Sequence, residues 1–291
     1  MERLEEIQGR IKNLGELADV VGAMRSLAAV RVQQAHGSLP AILKYTRVVE
    51  EALAAAFALG SPAPELRGAD GAAVAGGGSA AIVFSSEQGF VGAFNERVLE
   101  RAATELEQPG DSLLVVGARG ASLAAERHLA VSWTTSMTTQ GAGIVDVARG
   151  IAAELYRRAA RGELRRATLV YARSSGGAAS EVVVTSLLPF DPTPYRSAPA
   201  EAGPPPLIYL APRQLIDRLV DELVLAELMR AAMESFASEN GARLATMEAA
   251  HTSIDKKLDE LSQDERRLRQ DEITTELLDI VTGAEAVADG R

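Results

Sequence analysis

The chain has 291 residues, 47% of them apolar, so it is long enough to bury a core and is not a disordered chain. Its 30 basic and 40 acidic residues give a net charge of −10, which argues against general nucleic-acid binding. Cysteine is absent and the three histidines (His36, His128 and His251) lie far apart in sequence, so thiolate chemistry and disulfides are excluded and no metal site is expected.

The sequence also lacks the features of a membrane span or an export signal. No stretch approaches the roughly 18 uninterrupted apolar residues that a membrane helix needs. The first residues, Met1-Glu2-Arg3, do not resemble a signal peptide. We therefore expect a soluble chain of the intracellular type.

The N-terminal segment, residues 1–60, is predicted to form one long helix. Apolar residues recur at alternating spacings of three and four from Leu4 to Ala56, which is the pattern of a coiled-coil seam. Three glycines in the first 22 residues lower its helix propensity, so the helix should depend on a partner helix. Pro40 is expected to bend or loosen it near residues 37–39.

This helix carries a band of positive charge. The thirty residues from Val20 to Val49 contain no carboxylate but include Arg25, Arg31, Lys44 and Arg47. The band fits either an acidic partner surface or an ordinary solvated helix face, and the sequence leaves both interpretations open.

The middle of the chain, residues 80–195, is predicted to be a small α/β domain with a mostly parallel sheet. Apolar strand patterns alternate with helical patterns over its first half. Stretches rich in Pro, Gly and Ala at 61–79 and 196–211 are predicted to be linkers. The predicted strands are 80–85, 113–117, 131–133, 168–171 and 182–187, and the predicted helices lie near 93–107, 120–129 and 143–161.

The C-terminal segment, residues 212–291, is predicted to be the partner helix. There is no proline and one glycine between Arg213 and Thr282. Pro212 suits the first turn of a helix, and Gly283 suits its end. Polar residues interrupt the apolar seam at three positions, where we expect them to fix register rather than bind ligands: Asn240, His251 and Glu265.

No motif in the middle domain indicates catalysis or nucleotide binding. The glycine-rich turns at 89–92 and 117–120 match neither the dinucleotide fingerprint nor the phosphate-binding loop, so we interpret residues 89–92 as a tight strand-to-helix turn. Ser85 and Ser86 lie near Glu87, but no histidine base occupies a comparable strand end. We therefore predict no catalytic, cofactor or metal site.

Three groups of motifs carry a family resemblance. They are Arg10-Ile11 with residues 22–31 (Gly-Ala-Met-Arg-Ser-Leu-Ala-Ala-Val-Arg), the turn at 89–95 (Gly-Phe-Val-Gly-Ala-Phe-Asn), and a C-terminal block at 237–247 and 269–284. In these motifs, and over essentially its whole length, the chain resembles the γ subunit of F-type ATP synthases. It departs from the family pattern at Gly22, within 90–94 and at Asp271-Glu272, as a divergent, alternative-type branch would.

The resemblance implies an antiparallel coiled coil of the two terminal helices with a Rossmann-like α/β domain inserted between them. It implies a non-catalytic rotor shaft that couples ion flow through the membrane sector to ATP synthesis or hydrolysis on the β subunits. The implied partners are the α and β subunits of the catalytic ring, the ε subunit and the c-ring, with no nucleic acid, no direct nucleotide binding and no cofactor. The implied location is peripheral, on the cytoplasmic face of the bacterial inner membrane.

The resemblance also implies which residues contact the α/β ring. They are Met24, Arg25, Arg31, Arg243, Arg269, Gln270, Thr274 and Glu276. Its motifs imply a register that places Met24 beside Arg243, so that the second helix has no partner in this chain beyond about residue 265. The apolar side chains beyond that point are expected to turn in an apolar sleeve of the ring.

Two other classes of function stay open at this stage. An α/β enzyme with a helical dimerisation hairpin would have a ligand pocket at the strand ends. A coiled-coil tether would have a uniformly solvated exterior. The choice between protons and sodium ions, and between synthesis and hydrolysis, is not encoded in this chain.

Overall fold

The structure is a computed structural model, and it describes residues 2–59, 77–106, 110–174, 180–196 and 208–289. The predicted linkers at 61–79 and 196–211 fall largely outside these residues. The chain divides into two units. The first comprises Met1–Leu27 with Leu244–Arg291, and the second comprises Ala28–Arg243.

Two long helices and an α/β domain make up the chain, as predicted. The strands are β1 (Gly78–Phe84), β2 (Ser112–Val116), β3 (Val131–Thr135), β4 (Leu164–Ser174) and β5 (Ser180–Leu188). The helices are α1 (Glu2–Ala58), α2 (Phe94–Ala103), α3 (Ala118–Glu126), α4 (Ile144–Ala160), α5 (Thr193–Arg196) and α6 (Pro212–Asp289).

One of the two predicted ends of α6 agrees with the structure, and the other does not. The helix begins at Pro212, where the missing N–H of proline costs nothing. The predicted end at Gly283 is wrong, because α6 continues to Asp289. One glycine inside a helix costs only about 1 kcal/mol, which is too little to stop a helix that helix-forming residues continue on both sides.

The five strands form one sheet in the order β3-β2-β1-β4-β5. All neighbouring pairs are parallel except β4 with β5, which confirms the predicted mostly parallel sheet. The chain winds outward from β1 through β2 to β3 and then returns to place β4 on the other side of β1. The direction of winding therefore reverses between β1 and β4, and this is the switch point of the sheet.

Alternating residues of the central strands face two separate cores. Ile82 and Phe84 of β1 belong to a core shared with α4 and with α6, which contributes Phe236. Val83 faces the opposite core, where α2 and α3 pack. The sheet is therefore covered on both sides, which explains the continuous apolar runs that marked its strands.

The apolar seam predicted for the N-terminal helix is confirmed. Within the second unit, Leu53 of α1 packs with Ile216 and Leu223 of α6. Within the first unit, Val21 packs with Met247 and Ile254. Seven predicted seam positions of α1 are buried: Val21, Ala28, Ala35, Thr46, Val49, Leu53 and Ala56.

The register within the first unit differs from the predicted one. Arg25 pairs with Glu248 at 3.1 Å, and the Gln8 amide donates to Glu265 at 2.9 Å, so the helices are antiparallel. The predicted register, with Met24 beside Arg243, is wrong by six residues, because Val21 packs between Met247 and Ile254 of α6. Continuing the observed pairing places residue 2 opposite residue 271, so α6 lacks a partner from α1 only beyond that point.

Gly120 supplies a test of packing inside the α/β domain. A Cβ at Gly120 would lie 1.9 Å from Oγ and 2.2 Å from Cβ of Ser85, whose hydroxyl donates to the carbonyl of Val116. We expect Gly120→Ala to lower the free energy of unfolding by about 1–3 kcal/mol, measured by denaturant titration. Gly150→Ala in α4 is the matched control, since a Cβ there would meet nothing within 4 Å, and it should be neutral or stabilising.

Candidate partner interface

The crevice where parallel α/β domains bind ligands is occupied by α6. Ligands of such folds bind outside the carboxyl ends of the strands at the switch point, which lies here between β1 and β4. Ser235 donates its hydroxyl to the carbonyl oxygen of Phe84 at the end of β1, at 3.2 Å. Ser238 donates to Ala172 of β4 at 3.1 Å. A helix of the chain itself therefore takes the position of a ligand.

The glycine-rich turns have structural roles in the same region. Gly117 has a φ of 110°, and a Cβ there would lie 2.5 Å from the carbonyl oxygen of Ser85, so this close approach requires glycine. The Asn95 carboxamide accepts the Ser86 N–H at 2.9 Å and donates to its hydroxyl at 2.8 Å. The Ser85 and Ser86 side chains are thus engaged in packing the turns. Among the described residues, no three histidine or acidic side chains are grouped to hold a metal ion.

A polar cleft of about 240 Å³ lies at the other end of the sheet, where β1 and β4 begin. Arg165 and Arg166 line it together with Asp111 and Glu105. Asp111 accepts the Ser79 N–H at 2.8 Å, and other α/β domains do not bind ligands at this end. The cleft therefore does not supply the pocket that an enzyme would need at the carboxyl ends.

Two predicted contact residues on α1, Met24 and Arg25, interact with other residues of the first unit. Met24 packs against the cluster of Val21, Met247 and Ile254 and is partly buried. Arg25 pairs with Glu248, but both side chains stay exposed, at 37% and 60%. An exposed pair of this kind contributes little to stability and can be exchanged for a partner's carboxylate at small cost.

Four predicted contact residues lie together on an exposed segment of α6. Arg269 donates to Glu265 at 2.8 Å, and its side chain is 58% exposed. Thr274 donates its hydroxyl to the backbone carbonyl of Gln270 at 2.8 Å, and the side chains of Gln270 and Glu276 are exposed. They lie within two turns of the helix, and we call these four residues the exposed polar surface of α6.

Apolar side chains on the last turns of α6 are also exposed. Ile273, Leu277 and Ile280 follow one another at spacings of four and three, so they share a face of the helix. The exposed set, with side chains between 51% and 67% exposed, is Ile273, Leu277, Leu278, Ile280 and Val281. We call this set the apolar tip. An exposed apolar surface of this kind indicates a binding partner, because contact between apolar side chains and water is unfavourable.

Arg31 and Arg243, also predicted as contact residues, lie in a charged cluster within the second unit. Arg243 is buried and donates to Glu239 at 2.7 Å. Burial raises the pKa of Glu239, and Arg243 and Arg31 oppose that rise. Burial, with the nearby charge of Arg243, lowers the pKa of Arg31. The fold therefore brings Arg31 close to Arg243 from a distant part of the sequence, whereas Arg269, Gln270, Thr274 and Glu276 are already close together in the sequence.

Part of the basic band is neutralised inside the chain. Lys44 and Arg47 are exposed, whereas Arg31 lies near Glu239. Tyr45, in the same band, donates its hydroxyl to Glu222 of α6 at 2.5 Å, and burial with this bond raises its pKa to about 12. The exposed Lys44 and Arg47 fit either interpretation of the band, and the choice between an acidic partner surface and a solvated face stays a prediction.

Sequence reasoning missed the role of Glu87. Its carboxylate accepts the backbone N–H of Ala118 at 3.0 Å and of Met137 at 2.7 Å, so it joins the ends of β1, β2 and β3. In the sequence, Glu87 follows two serines at a strand end, a position where a nucleophile and its base could lie. A carboxylate that binds two backbone N–H groups has no sequence signature of its own.

An α/β domain carried between two long terminal helices, with one helix filling its ligand crevice, defines the structural class. The chain belongs to the ATP synthase family, because the family model described as ATP synthase matches residues 3–287. The resemblance found in the sequence is thereby confirmed. The described helices include none with the length and apolarity that crossing a membrane requires.

Named relatives agree with this membership, and solved structures share the fold. The ATP synthase gamma chain of Rubrobacter xylanophilus is 29% identical over 300 residues, with 100% of both chains covered. That of Geotalea uraniireducens is 26% identical, with 99% of both chains covered. Two solved structures of the Euglena gracilis mitochondrial ATP synthase contain chains that match at 16% identity. The chain from the OSCP/F1/c-ring structure has a TM-score of 0.69, and the match covers 99% of this chain and 96% of that one. The chain from the rotor structure has a TM-score of 0.65, and the match covers 94% of this chain and 99% of that one.

Proposed function

We propose that this chain is the γ subunit of an F-type ATP synthase, the non-catalytic central shaft that couples ion flow to ATP synthesis or hydrolysis on the β subunits. The observation that carries the proposal is the family match over residues 3–287. The relatives named gamma chain are matched over at least 99% of their own length, so the likeness extends over essentially all of each relative.

The geometry supports a shaft more than an enzyme. In the second unit, α6 is bonded to the strand ends by Ser235 and Ser238, so a force on the sheet is passed directly to the helix. A rotor needs such rigid attachment, because its surface must push each β subunit between open and closed states. The apolar tip argues against a tether, which would be solvated throughout.

The proposed partners are the α and β subunits, the ε subunit and the c-ring, at the cytoplasmic face of the bacterial inner membrane. The α/β ring would meet the exposed polar surface at Arg269, Gln270, Thr274 and Glu276 and the apolar tip. Exposed charges of the basic band, such as Lys44 and Arg47, would meet acidic loops of the ring. Charge contacts at a wet surface form and break at small cost, which suits a moving interface.

A pull-down from membranes tests the proposal. The full-length chain with a C-terminal tag, expressed in its own host, should copurify with α and β subunits after detergent extraction, and untagged membranes are the control. The same preparation should contain ATPase activity. Capture of the tagged chain without ring subunits would contradict the proposal.

A nucleotide titration separates the proposal from the enzyme alternative. Because α6 fills the crevice at the switch point and no phosphate-binding loop is present, the isolated chain should show no saturable ATP binding by calorimetry. Binding in the micromolar range would favour the enzyme.

A further inference from the structure

We propose that Arg243 is a positioning residue that locks residues 87–92, the turn after β1, onto α6. The guanidinium lies within the second unit, and its side chain is 4% exposed. It donates through Nε to the carbonyl of Gly89 at 3.2 Å and through Nη2 to the carbonyl of Gln88 at 3.1 Å. Two consecutive carbonyls of the turn are thus held by one side chain of the helix.

The remaining donors of Arg243 are satisfied on α6 itself. Nη1 donates to the Asn240 carboxamide oxygen at 3.1 Å, and Nη2 also donates to Glu239 at 2.7 Å. Asn240 is fixed in turn, because its Nδ2 donates to the carbonyl of Phe236 at 2.8 Å. Residues one helical turn apart therefore orient the guanidinium toward the strand ends.

The turn is also anchored on its other side. Glu87 accepts the backbone N–H groups of Ala118 and Met137, which follow β2 and β3. Arg243 and Glu87 therefore hold the turn from two sides, to α6 and to the residues that follow β2 and β3. A carboxylate that accepts two N–H groups is a strong anchor.

The conformation of Phe90 shows that the turn needs such a lock. Phe90 has a φ of 61°, which is unfavourable for a bulky residue, and its side chain is 64% exposed. Strain of this kind persists only when the surroundings determine the conformation. The bonds to Gln88 and Gly89 supply that constraint immediately before Phe90.

The lock predicts that lysine cannot replace Arg243. Arginine presents five N–H donors in a planar fork, and four acceptors are bound here. The lysine ammonium carries the same charge, but its donors diverge from one nitrogen and cannot reach all four acceptors. If Arg243 acted through its charge alone, by pairing with Glu239 or with a partner subunit, Arg243→Lys would be tolerated.

Hydrogen exchange on the isolated full-length chain tests the lock. Arg243→Lys should speed exchange in peptides covering 85–95 and the N–H groups of Ala118 and Met137 by about tenfold or more, with α4 unchanged. If Arg243→Lys does not fold, the double variant Glu239→Gln with Arg243→Gln, which leaves no unpaired charge between these two positions, should give the same local increase.

The matched control is Arg173→Lys, the same change at another arginine that joins the sheet to α6. Arg173 donates to the largely buried Glu234 at 2.7 Å and to the Tyr171 hydroxyl at 3.0 Å, and both acceptors lie outside the turn. It should leave exchange at 85–95 at the wild-type rate. Wild-type exchange there in Arg243→Lys, or an equal increase in Arg173→Lys, would overturn the lock.

The consequence for coupling rests on the proposed function and is measured separately. In membrane vesicles carrying the assembled complex, Arg243→Lys should lower ATP-driven ion pumping relative to ATP hydrolysis, and Arg173→Lys should not. Faster exchange at residues 85–95 with an unchanged ratio of ion pumping to ATP hydrolysis would mean that the lock does not contribute to coupling. Failure of the wild-type chain to assemble with α and β would instead overturn the proposed function and leave the exchange result standing.

Discussion

Replacing Phe236 with alanine is expected to lower the free energy of unfolding by about 3–5 kcal/mol, because its ring is 1% exposed in the core between α6 and the sheet. The lost side chain leaves a cavity in the core shared by α6, α4 and the sheet, and the surrounding structure relaxes only partly to fill such a cavity. Thermal unfolding followed by circular dichroism should show a midpoint lower by roughly 10 °C.

Two further variants show whether the loss comes from the cavity. Phe236→Leu keeps most of the apolar volume and should cost less than half as much. Leu277→Ala removes an apolar side chain from the apolar tip, where Leu277 is 58% exposed, and should leave the midpoint within about 2 °C of wild type. Equal losses in Phe236→Ala and Leu277→Ala would mean that the apolar tip is packed within the isolated chain.

The spacing of apolar residues predicted the helices and strands of this fold, because buried positions recur at the period of each type of element. The spacing of three and four along residues 4–56 selected side chains that are buried, including Val21 and Leu53. Continuous apolar runs selected the five strands. The ends of β4 were missed, since its exposed residues Arg165 and Arg166 carry no strand pattern although they continue the strand.

The register of the helices and the environment of Arg243 could not be read from the sequence. Several registers align apolar seams equally well, and packing around Met247 and Ile254 selects among them. The bonds of Arg243 depend on a turn 154 residues away in the sequence, which only the closed fold brings near. An arginine in a polar segment of a helix is usually solvated, so its burial had no local signal.

The polar surface at Arg269 and Gln270 gives the largest expected effect on coupled activity. Both side chains are exposed, and Arg269 pairs with Glu265 of its own helix, so Arg269→Ala with Gln270→Ala should not change the thermal unfolding midpoint of the chain. In the assembled complex we expect ATP-driven ion pumping to fall by about fivefold, the factor that corresponds to loss of about 1 kcal/mol of contact with the ring.

The matched control for this effect lies on the same helix. Lys257 and Glu260 form an exposed pair at 2.8 Å, much like Arg269 with Glu265, but they are not among the predicted ring contacts. Lys257→Ala with Glu260→Ala should leave pumping unchanged, and removing residues from Gly283 onward should matter less than the change at Arg269 and Gln270. Comparing pumping and hydrolysis in vesicles with equal amounts of complex separates coupling from assembly. An assembled complex with both substitutions and unchanged pumping would exclude Arg269 and Gln270 from the interface, because a contact that bears force cannot be removed without loss of coupling.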